Sequence, residues 1–306
     1  MRNPAAAAHI VSTMLNPGRG APHWPPAPGA ARAFVIVNEA AGGVGRGAAD
    51  ALRAQLGAAG VEIVALADDV AGLQAHQAAV RDAGMIVVLG GDGTARAAAE
   101  AFRDGPPLLL LPGGTLNVLP RALYGDRAWR EALSEALTAG KVRRLVGGRA
   151  NGKPFFVAAL FGGPTLLARA REAMREGRVL EAARRLRHAM ARLMSRKLLV
   201  RPSAAAFSVA AAAGVLCPSY IGELEDDALE WVRLDVNRLT DFARVGLLSV
   251  LGGWRDDDTI QLSRAARGEI RSIGVVPALL DGESAAFFSR VRVEIMQDGP
   301  FVVALS

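Results

Sequence analysis

The chain has 306 residues, of which 51% are hydrophobic and 22% are charged, with a formal net charge of +6. This balance is typical of a globular protein with a sizeable core, and it excludes a chain that is disordered throughout. The length exceeds what one hydrophobic core usually serves, so we expect two domains. The longest apolar runs are far shorter than the ~18 residues that would indicate a membrane-spanning helix.

Cysteine and histidine are too sparse for a disulfide or a zinc site. Cys217 is the only cysteine, which excludes an intramolecular disulfide. The four histidines lack the short spacings of transition-metal sites. We therefore expect an inert, buried thiol at Cys217 and no zinc chemistry.

Residues 1–32 contain no acidic side chain and carry five prolines between Pro17 and Pro28. Such a composition cannot form a packed core, so we expect a flexible tail. The tail also lacks the continuous apolar core of a secretory signal, which favours a cytoplasmic location.

From Phe34 onward, strand-like and helix-like segments alternate, as in βαβ units around a parallel sheet. The predicted strands are Phe34–Val37, Val61–Leu66, Met85–Leu89 and Leu108–Leu111. Helices are predicted over residues 48–59 and 69–82, and an alanine-rich helix follows Thr94 and ends at Phe102.

Three glycine-rich segments follow three of these strands: residues 42–47, 90–94 and 112–117. Because ligands of open parallel sheets bind outside the carboxyl ends of the strands, the three loops should share one crevice. Glycine lets the backbone approach a phosphate, and a following helix supplies amide donors. Asp92 lies within the second loop and suits a Mg²⁺ ion that bridges phosphate oxygens.

The first loop by itself has a second interpretation. Gly43–Ala48 fits the dinucleotide-binding fingerprint, and Asp68 follows about twenty residues later. The fingerprint, however, needs its glycines directly at the end of the strand, and here four residues separate the strand from the first glycine, Gly42. NAD-type binding would also leave the other two loops without a role. The Gly-Lys-Ser/Thr phosphate loop is absent from the chain.

The second and third loops together resemble the diacylglycerol kinase catalytic-domain family, which includes sphingosine kinases and bacterial lipid kinases. The resemblance rests on Gly90–Thr94, on Pro112–Asn117 and on Arg121. Asp281-Gly282-Glu283 is similar to the late acidic motif of that family, so the likeness covers most of residues 34–306.

The resemblance implies an α/β fold in two parts. A Rossmann-like, NAD-kinase-like parallel-sheet domain would occupy residues 33–145, and a last strand near 291–306 could return to it. A β-sandwich-like substrate domain would occupy residues 146–290. The active site of the family lies in the cleft between two such domains.

The resemblance further implies transfer of the ATP γ-phosphoryl group to a hydroxyl of diacylglycerol or a related lipid, with Mg²⁺. Glu283 would be the proton acceptor, with Asp281 beside it. A second metal position would use the Asp227 carboxylate and the carbonyls of Leu224 and Leu229. The nucleotide would contact Asn38, Gly90, Gly91, Asp92, Gly93, Thr94, Gly114, Thr115 and Asn117.

The chain also departs from the family pattern. In the first loop, Glu39 and Ala41 replace the usual Pro and Ser, and Arg96, Ala97 and Val118 replace Asn, Glu and Asp elsewhere. Two alternatives therefore stay open: a non-catalytic lipid- or nucleotide-binding protein of the same fold, and a NAD kinase. Against the latter, the chain lacks the Thr-Pro-Thr-Gly-Ser stretch of NAD kinases.

The segment from Thr165 to Arg201 contains eleven Lys or Arg and three Glu, and its apolar residues recur at helical intervals. One interpretation is a surface helix whose arginine stems pack on its own domain. The other is attraction to anionic lipid headgroups, with peripheral contact at the inner membrane surface. Nucleic acid is disfavoured as a partner because the segment has no aromatic side chains that could stack on bases.

Overall fold

The computed structural model describes Trp24 and residues 31–70, 76–162, 197–221, 226–235 and 254–305. Most of the predicted tail, residues 165–196 of the predicted basic segment, and Leu224 lie outside the described residues. The chain divides into two units: Met1–Val146 with Gln297–Ser306 form unit 1, and Gly147–Met296 form unit 2. Unit 2 is therefore inserted into unit 1 along the chain.

Unit 1 is built on a six-stranded sheet in the order β2-β1-β3-β4-β16-β5. Its strands are β1 (Arg32–Val37), β2 (Glu62–Ala67), β3 (Met85–Gly90), β4 (Leu108–Pro112), β5 (Lys141–Arg144) and β16 (Phe301–Ala304). The first four and β16 run parallel, and β5 pairs antiparallel with β16. Every residue of β3 is buried, as expected for a central strand of a covered parallel sheet.

Among its described residues, unit 1 has five helices: α1 (Ala48–Ala58), α2 (Gln77–Asp82), α3 (Asp92–Ala101), α4 (Val118–Tyr124) and α5 (Trp129–Ala139). The predicted start of the second helix at Asp69 is wrong, because residues 68–70 form a bend and α2 begins at Gln77. Two successive aspartates favour turns over a helix interior, since their side chains compete for backbone hydrogen bonds.

The part of unit 2 that the structure describes is built on an antiparallel sheet of ten strands. The strands are β6 (Gly147–Ala150), β7 (Lys153–Phe155), β8 (Ala158–Gly162), β9 (Leu198–Pro202), β10 (Ser208–Ala210), β11 (Ala212–Leu216), β12 (Leu229–Leu234), β13 (Ile260–Ala265), β14 (Arg267–Leu280) and β15 (Glu283–Met296). A short helix α6 (Pro218–Ile221) follows β11, and a 3₁₀ turn (Trp254–Asp256) precedes β13.

The sheet of unit 2 branches at β14 and folds over itself. One half of β14 pairs with β9 and the other half with β8, while β15 runs along both. β12 is separated from β14 by two strands in hydrogen-bonding order, yet a Cβ on Gly268 of β14 would lie 2.5 Å from the Trp231 ring of β12. Trp231 is fully buried and donates its indole N–H to the Ala265 carbonyl at 3.1 Å. The folded-over sheet thus encloses a core as two stacked sheets would.

The predicted fold class is confirmed, with a parallel-sheet N-terminal unit and an antiparallel-sheet C-terminal unit. Across the part of the chain that the structure describes, no helix combines the length and the apolar character needed to span a bilayer.

Candidate active site

The glycine loops of unit 1 follow β1, β3 and β4, which are neighbours in the sheet. The chain goes from β1 to β2 on one side and continues through β3 and β4 on the other, so the strand order reverses between β1 and β3. Such a switch point opens a crevice at the carboxyl ends of the strands. The backbone N–H of Asn38 donates to the Leu89 carbonyl at 2.9 Å, which holds the first two loops together at this point.

The three loops meet backbone to backbone. Gly43 N–H donates to the Gly113 carbonyl at 3.0 Å, and Gly113 N–H donates to the Gly90 carbonyl at 2.9 Å. A Cβ on Gly113 would lie 2.6 Å from Cγ2 of Val44 and 2.9 Å from the Gly90 backbone. Only glycine permits this approach, so the third loop is fixed between the other two.

Side chains of the first two loops are also joined. Asn38 Nδ2 donates to Thr94 Oγ1 at 3.0 Å, and Asn38 Oδ1 accepts from the Ala40 backbone at 3.1 Å. A Cβ on Gly90 would fall within 3.0 Å of the Thr94 side chain, so glycine at 90 makes room for the threonine. The structure therefore brings three predicted nucleotide contacts, Asn38, Gly90 and Thr94, into one cluster.

The third loop is closed by Asn117, which adopts a left-handed conformation with φ of 50°. Its Oδ1 accepts from Gly114 N–H at 2.6 Å and its Nδ2 donates to the Gly114 carbonyl at 2.9 Å. A Cβ on Gly114 would lie 2.8 Å from the Gly91 Cα, so these loops also touch here. Thr115 is exposed at the tip of the loop.

Acidic side chains contact the first turns of two of the three helices that follow the loops. Glu39 Oε1 accepts from Ala49 N–H of α1 at 3.3 Å, and Asp92 Oδ1 accepts from Val118 N–H of α4 at 2.7 Å. The N-cap residue of α3 is Gly91, which has no side chain to cap the helix. The first turn of α3, which contains Gly93 and Thr94, thus presents amide groups and the positive end of the helix dipole in the loop cluster.

The Glu39 contact accounts for one departure from the family pattern. The N-cap of α1 is Gly47, which adopts a left-handed conformation with φ of 77° and cannot cap by side chain. Glu39 reaches this helix end from the start of the loop. Sequence reasoning missed this role, although an acid nine residues before the first residue of a helix with a glycine N-cap was a usable signal.

The donor set around Asp92 fits a magnesium ion held jointly with phosphates. Mg²⁺ in phosphoryl-transfer sites usually takes one or two carboxylates, and substrate phosphates and water complete its coordination. Asp92 supplies one carboxylate at the anion-attracting end of α3. Among the described residues, no group of three or more His, Cys, Asp or Glu side chains could hold a metal by itself. A metal here would therefore depend on the nucleotide.

In unit 2, Asp281 and Gly282 form the two-residue turn between β14 and β15. Leu280 pairs directly with Glu283, and both turn residues have positive φ, 48° and 85°. This is the Asp-Gly hairpin geometry that matches the twist of the strands. The turn places Glu283 at the first position of β15, where its side chain is exposed.

The Asp281 carboxylate is bound to the backbone of a neighbouring segment. It accepts the N–H groups of Phe156, Val157 and Ala158 at 2.7–2.9 Å. The carbonyl groups of the same segment are bound from the other side, since Ser219 Oγ donates to Phe156 and Cys217 N–H donates to Val157. Asp281 thus positions the turn that carries Glu283.

Burial raises the pKa of the Cys217 thiol well above its usual value, and the nearby Asp281 charge adds to the effect. Both causes disfavour the thiolate, which is the reactive form of cysteine. The buried position of Cys217 and this direction of shift agree with an inert thiol.

Of the residues predicted for a second metal position, the structure describes Asp227 and Leu229, and the position stays a prediction. Asp227 is exposed, and Leu229 is buried at the start of β12. Asp226, which precedes Asp227, forms an ion pair with Arg264 of β13.

Sequence reasoning also missed an ionic cluster on unit 2. Glu269 of β14 is 5% exposed and accepts hydrogen bonds from Arg201, Arg271 and Arg290, which lie on three neighbouring strands. The hydrogen bond from Arg271 lowers the pKa of Glu269 to about 2. Arg290 adds to this effect, and burial opposes it. These arginines are far apart in the chain, so only strand register reveals the cluster.

Comparison with known proteins finds one family match, which lies mainly in unit 1. The family model described as the diacylglycerol kinase catalytic domain matches residues 32–150. None of the curated proteins compared with the chain matches it.

Solved structures show the same fold. A diacylglycerol kinase from Bacillus anthracis strain Sterne superposes with a TM-score of 0.61 at 17% identity, covering 89% of this chain and 96% of its own. An NAD kinase from Archaeoglobus fulgidus in complex with ATP gives 0.51 at 12% identity, covering 89% and 92%. Yeast NADH kinase complexed with NADH gives 0.52 at 11% identity, covering 90% and 84%.

At these identities the structural likeness establishes fold alone. The family match covers all three glycine loops, among them the second and third, on which the resemblance chiefly rested, whereas Asp281-Gly282-Glu283 lies outside the matched residues. Residues 32–150 of this chain therefore match the diacylglycerol kinase catalytic-domain family.

Proposed function

We propose that the protein is a lipid kinase that transfers the γ-phosphoryl group of ATP to a hydroxyl of diacylglycerol or a related lipid. The observation that carries the proposal is the convergence of three glycine loops on the uncapped first turn of α3, within residues that match a kinase family. Phosphoryl transfer depends mainly on positioning and on neutralising charge, and this cluster of amides suits both tasks.

In this proposal, the amides of Gly93 and Thr94 hold phosphate oxygens of ATP. Asn38 and Asn117 keep the loops in place through the hydrogen bonds described above. Asp92 would hold Mg²⁺, which when bound would neutralise charge on the phosphates. Glu283 accepts the proton of the attacking lipid hydroxyl, and Asp281 positions the turn that carries it.

The test is a lipid panel in mixed micelles with Mg-ATP, with labelled phosphate followed into the lipid phase. We expect turnover with diacylglycerol or a related lipid alcohol, and losses of about a hundredfold or more for Asp92→Asn and Glu283→Gln. Transfer to lipid that both variants retain would contradict the assigned roles. ATP binding without transfer to any lipid would favour the non-catalytic alternative.

The second candidate function is NAD kinase, because the NAD kinase from Archaeoglobus fulgidus has a similar fold over most of this chain. Including NAD⁺ among the acceptors separates the two enzymes, because a NAD kinase would yield NADP⁺ and leave the lipids unlabelled. We favour the lipid kinase, since the family match is to the diacylglycerol kinase domain.

A further inference from the structure

The outer face of the unit 2 sheet carries large apolar side chains that the described chain leaves in solvent. On the β14–β15 hairpin, Ile273 is 94% exposed, Phe288 77% and Val275 47%. On the neighbouring strands β10 and β9, Val209 is 55% exposed and Leu199 41%. Burial of such side chains is favourable, so a cluster of them indicates an interaction surface.

The strand register makes these side chains contiguous. Val209 pairs with Leu199, and Leu199 pairs with Arg271. Further along the hairpin, Val275 pairs with Phe288, and Ile273 lies in the irregular stretch between Arg271 and Val275. Paired residues point to the same face of a sheet, so Val209 and Leu199 share a face with Arg271 and Arg290. Phe288 lies two residues from Arg290 along β15, between the buried Phe287 and Val291, and extends this outer face to Val275.

The same patch is positively charged. Arg271 pairs with Arg290 on the face between Leu199 and Phe288. Together with Arg201, they surround the single carboxylate of Glu269, so three guanidinium groups and one carboxylate leave two net positive charges. Arg201 and Arg271 also stack on the Phe207 ring, at 4.4 and 4.7 Å from its centroid. We call these residues and the five apolar side chains the apolar-basic face.

We propose that the apolar-basic face docks on the surface of an anionic lipid bilayer. Apolar side chains would enter the headgroup boundary, and the arginines would lie level with the lipid phosphates. Anionic charge is the complement that the arginines require. The proposal concerns binding to a lipid surface and does not depend on the proposed kinase activity.

Charge argues against two other occupants. A second copy bound through the same face would bring two positive clusters together, which is repulsive. Residues 165–196, which contain nine Arg and three Glu, are likewise a poor partner for a face that is itself positive. An anionic bilayer complements both the face and that segment.

The test is co-sedimentation of the full-length protein with vesicles, in the absence of ATP. We expect binding to phosphatidylcholine vesicles that contain phosphatidylglycerol, weaker binding to phosphatidylcholine alone, and a decrease with salt. The double variant Ile273→Ser with Phe288→Ser should lower the partition coefficient at least about tenfold. Leu262→Ser is the matched control, since Leu262 is 40% exposed on β13 and lies outside the face; its binding should not change.

The remaining outcomes would overturn the proposal. Equal vesicle binding by wild type and double variant would mean that another surface docks. A lower melting temperature of the double variant would show that the face is buried by the chain itself. A change in sedimentation velocity of the double variant without vesicles would indicate that the face joins two copies.

Discussion

Asp281 illustrates how one residue pattern supports two roles. Asp-Gly between two strands predicts an ordinary hairpin turn, whereas its likeness to an acidic motif predicts catalysis. The structure shows the turn geometry, and it also shows three backbone N–H groups bound to the carboxylate. The carboxylate that is exposed at this turn is Glu283.

The two acids should therefore respond differently to amide substitution. Asp281→Asn replaces one acceptor oxygen with a donor that faces backbone donors, so we expect a loss of about 2–3 kcal/mol in unfolding free energy. Glu283→Gln should change stability by less than about 0.5 kcal/mol, because the side chain is exposed. Urea unfolding of both variants measures this. Equal stability of the two variants would contradict the positioning role of Asp281.

Gly113 is the residue at which the three loops are most closely packed. Gly113→Ala would place a methyl group against Val44 and the Gly90 backbone, so we expect a stability loss of about 1–3 kcal/mol and weaker ATP binding. Gly57→Ala is the matched control, because a Cβ at Gly57 in α1 meets nothing within 4 Å and should stabilise by up to about 1 kcal/mol. Thermal melting and ATP titration of both variants check the contrast. Unchanged melting of Gly113→Ala would show that the loops can separate at no cost.

At the scale of elements, β14 connects the two arms of the unit 2 sheet. The Trp231 ring of β12, which is not a neighbouring strand, packs against Gly268 of β14. On the other face of β14, Glu269 binds arginines of β9 and β15. One strand thus joins the enclosed core to the charged outer face. Two predictions test these two contacts.

Gly268→Ala should displace Trp231, because the new Cβ would lie 2.5 Å from its ring and 2.7 Å from the Arg201 carbonyl. We expect a stability loss of about 2–3 kcal/mol and a red shift of tryptophan emission. Gly214→Ala on β11 is the control, since its Cβ would find ordinary contacts at 3.4 Å and beyond. An emission spectrum that matches wild type would contradict the packing of Trp231 on β14.

The Glu269 cluster predicts a defined dependence of stability on pH. Its arginine partners lower the pKa of Glu269 from 4.5 to about 2 in the folded state. The stabilisation by the ionised carboxylate is therefore fully present above about pH 5 and is lost as pH falls from about 4.5 through 2. Relative to wild type, Glu269→Gln should be less stable by about 2 kcal/mol at pH 7. This difference should shrink towards pH 3.

The measurement is urea unfolding of both proteins between pH 3 and pH 7. Glu294→Gln is the control, because Glu294 is exposed on β15, and its effect should stay within about 0.5 kcal/mol. A stability difference for Glu269→Gln that is constant over this range would show that the carboxylate has an ordinary pKa.

At the scale of the whole molecule, the C-terminal strand β16 completes the sheet that the N-terminal strands of unit 1 begin. β16 lies between β4 and β5, and its Val302, Val303 and Ala304 are fully buried. All three glycine loops precede β16 in the chain, so their support depends on residues about two hundred positions later.

A chain truncated after Met296 should therefore lose ATP binding, although every loop residue is present. A chain truncated after Leu305 keeps β16 and the hydrogen bond from Leu305 N–H to the Leu123 carbonyl, so it should bind ATP as the wild-type protein does. Isothermal titration with ATP compares the two proteins. Wild-type affinity in the shorter chain would show that β16 is dispensable for the loops.

The sequence by itself predicted the βαβ alternation, the two-part fold and the three glycine loops with Asp92. Apolar periodicity and glycine at strand ends are local signals, and the short runs of unit 1 express them clearly. The same local signals placed the start of α2 too early, at a pair of aspartates.

Only the tertiary structure decided how distant residues meet. The contact of Gly43 with Gly113, the Asp281 carboxylate on residues 156–158 and the arginine cluster on Glu269 join positions that are many residues apart in the chain. No periodicity encodes such pairs, because they follow from strand register and from the folding of one sheet over itself. Local composition therefore determined which elements form, and packing between them determined which side chains are brought together.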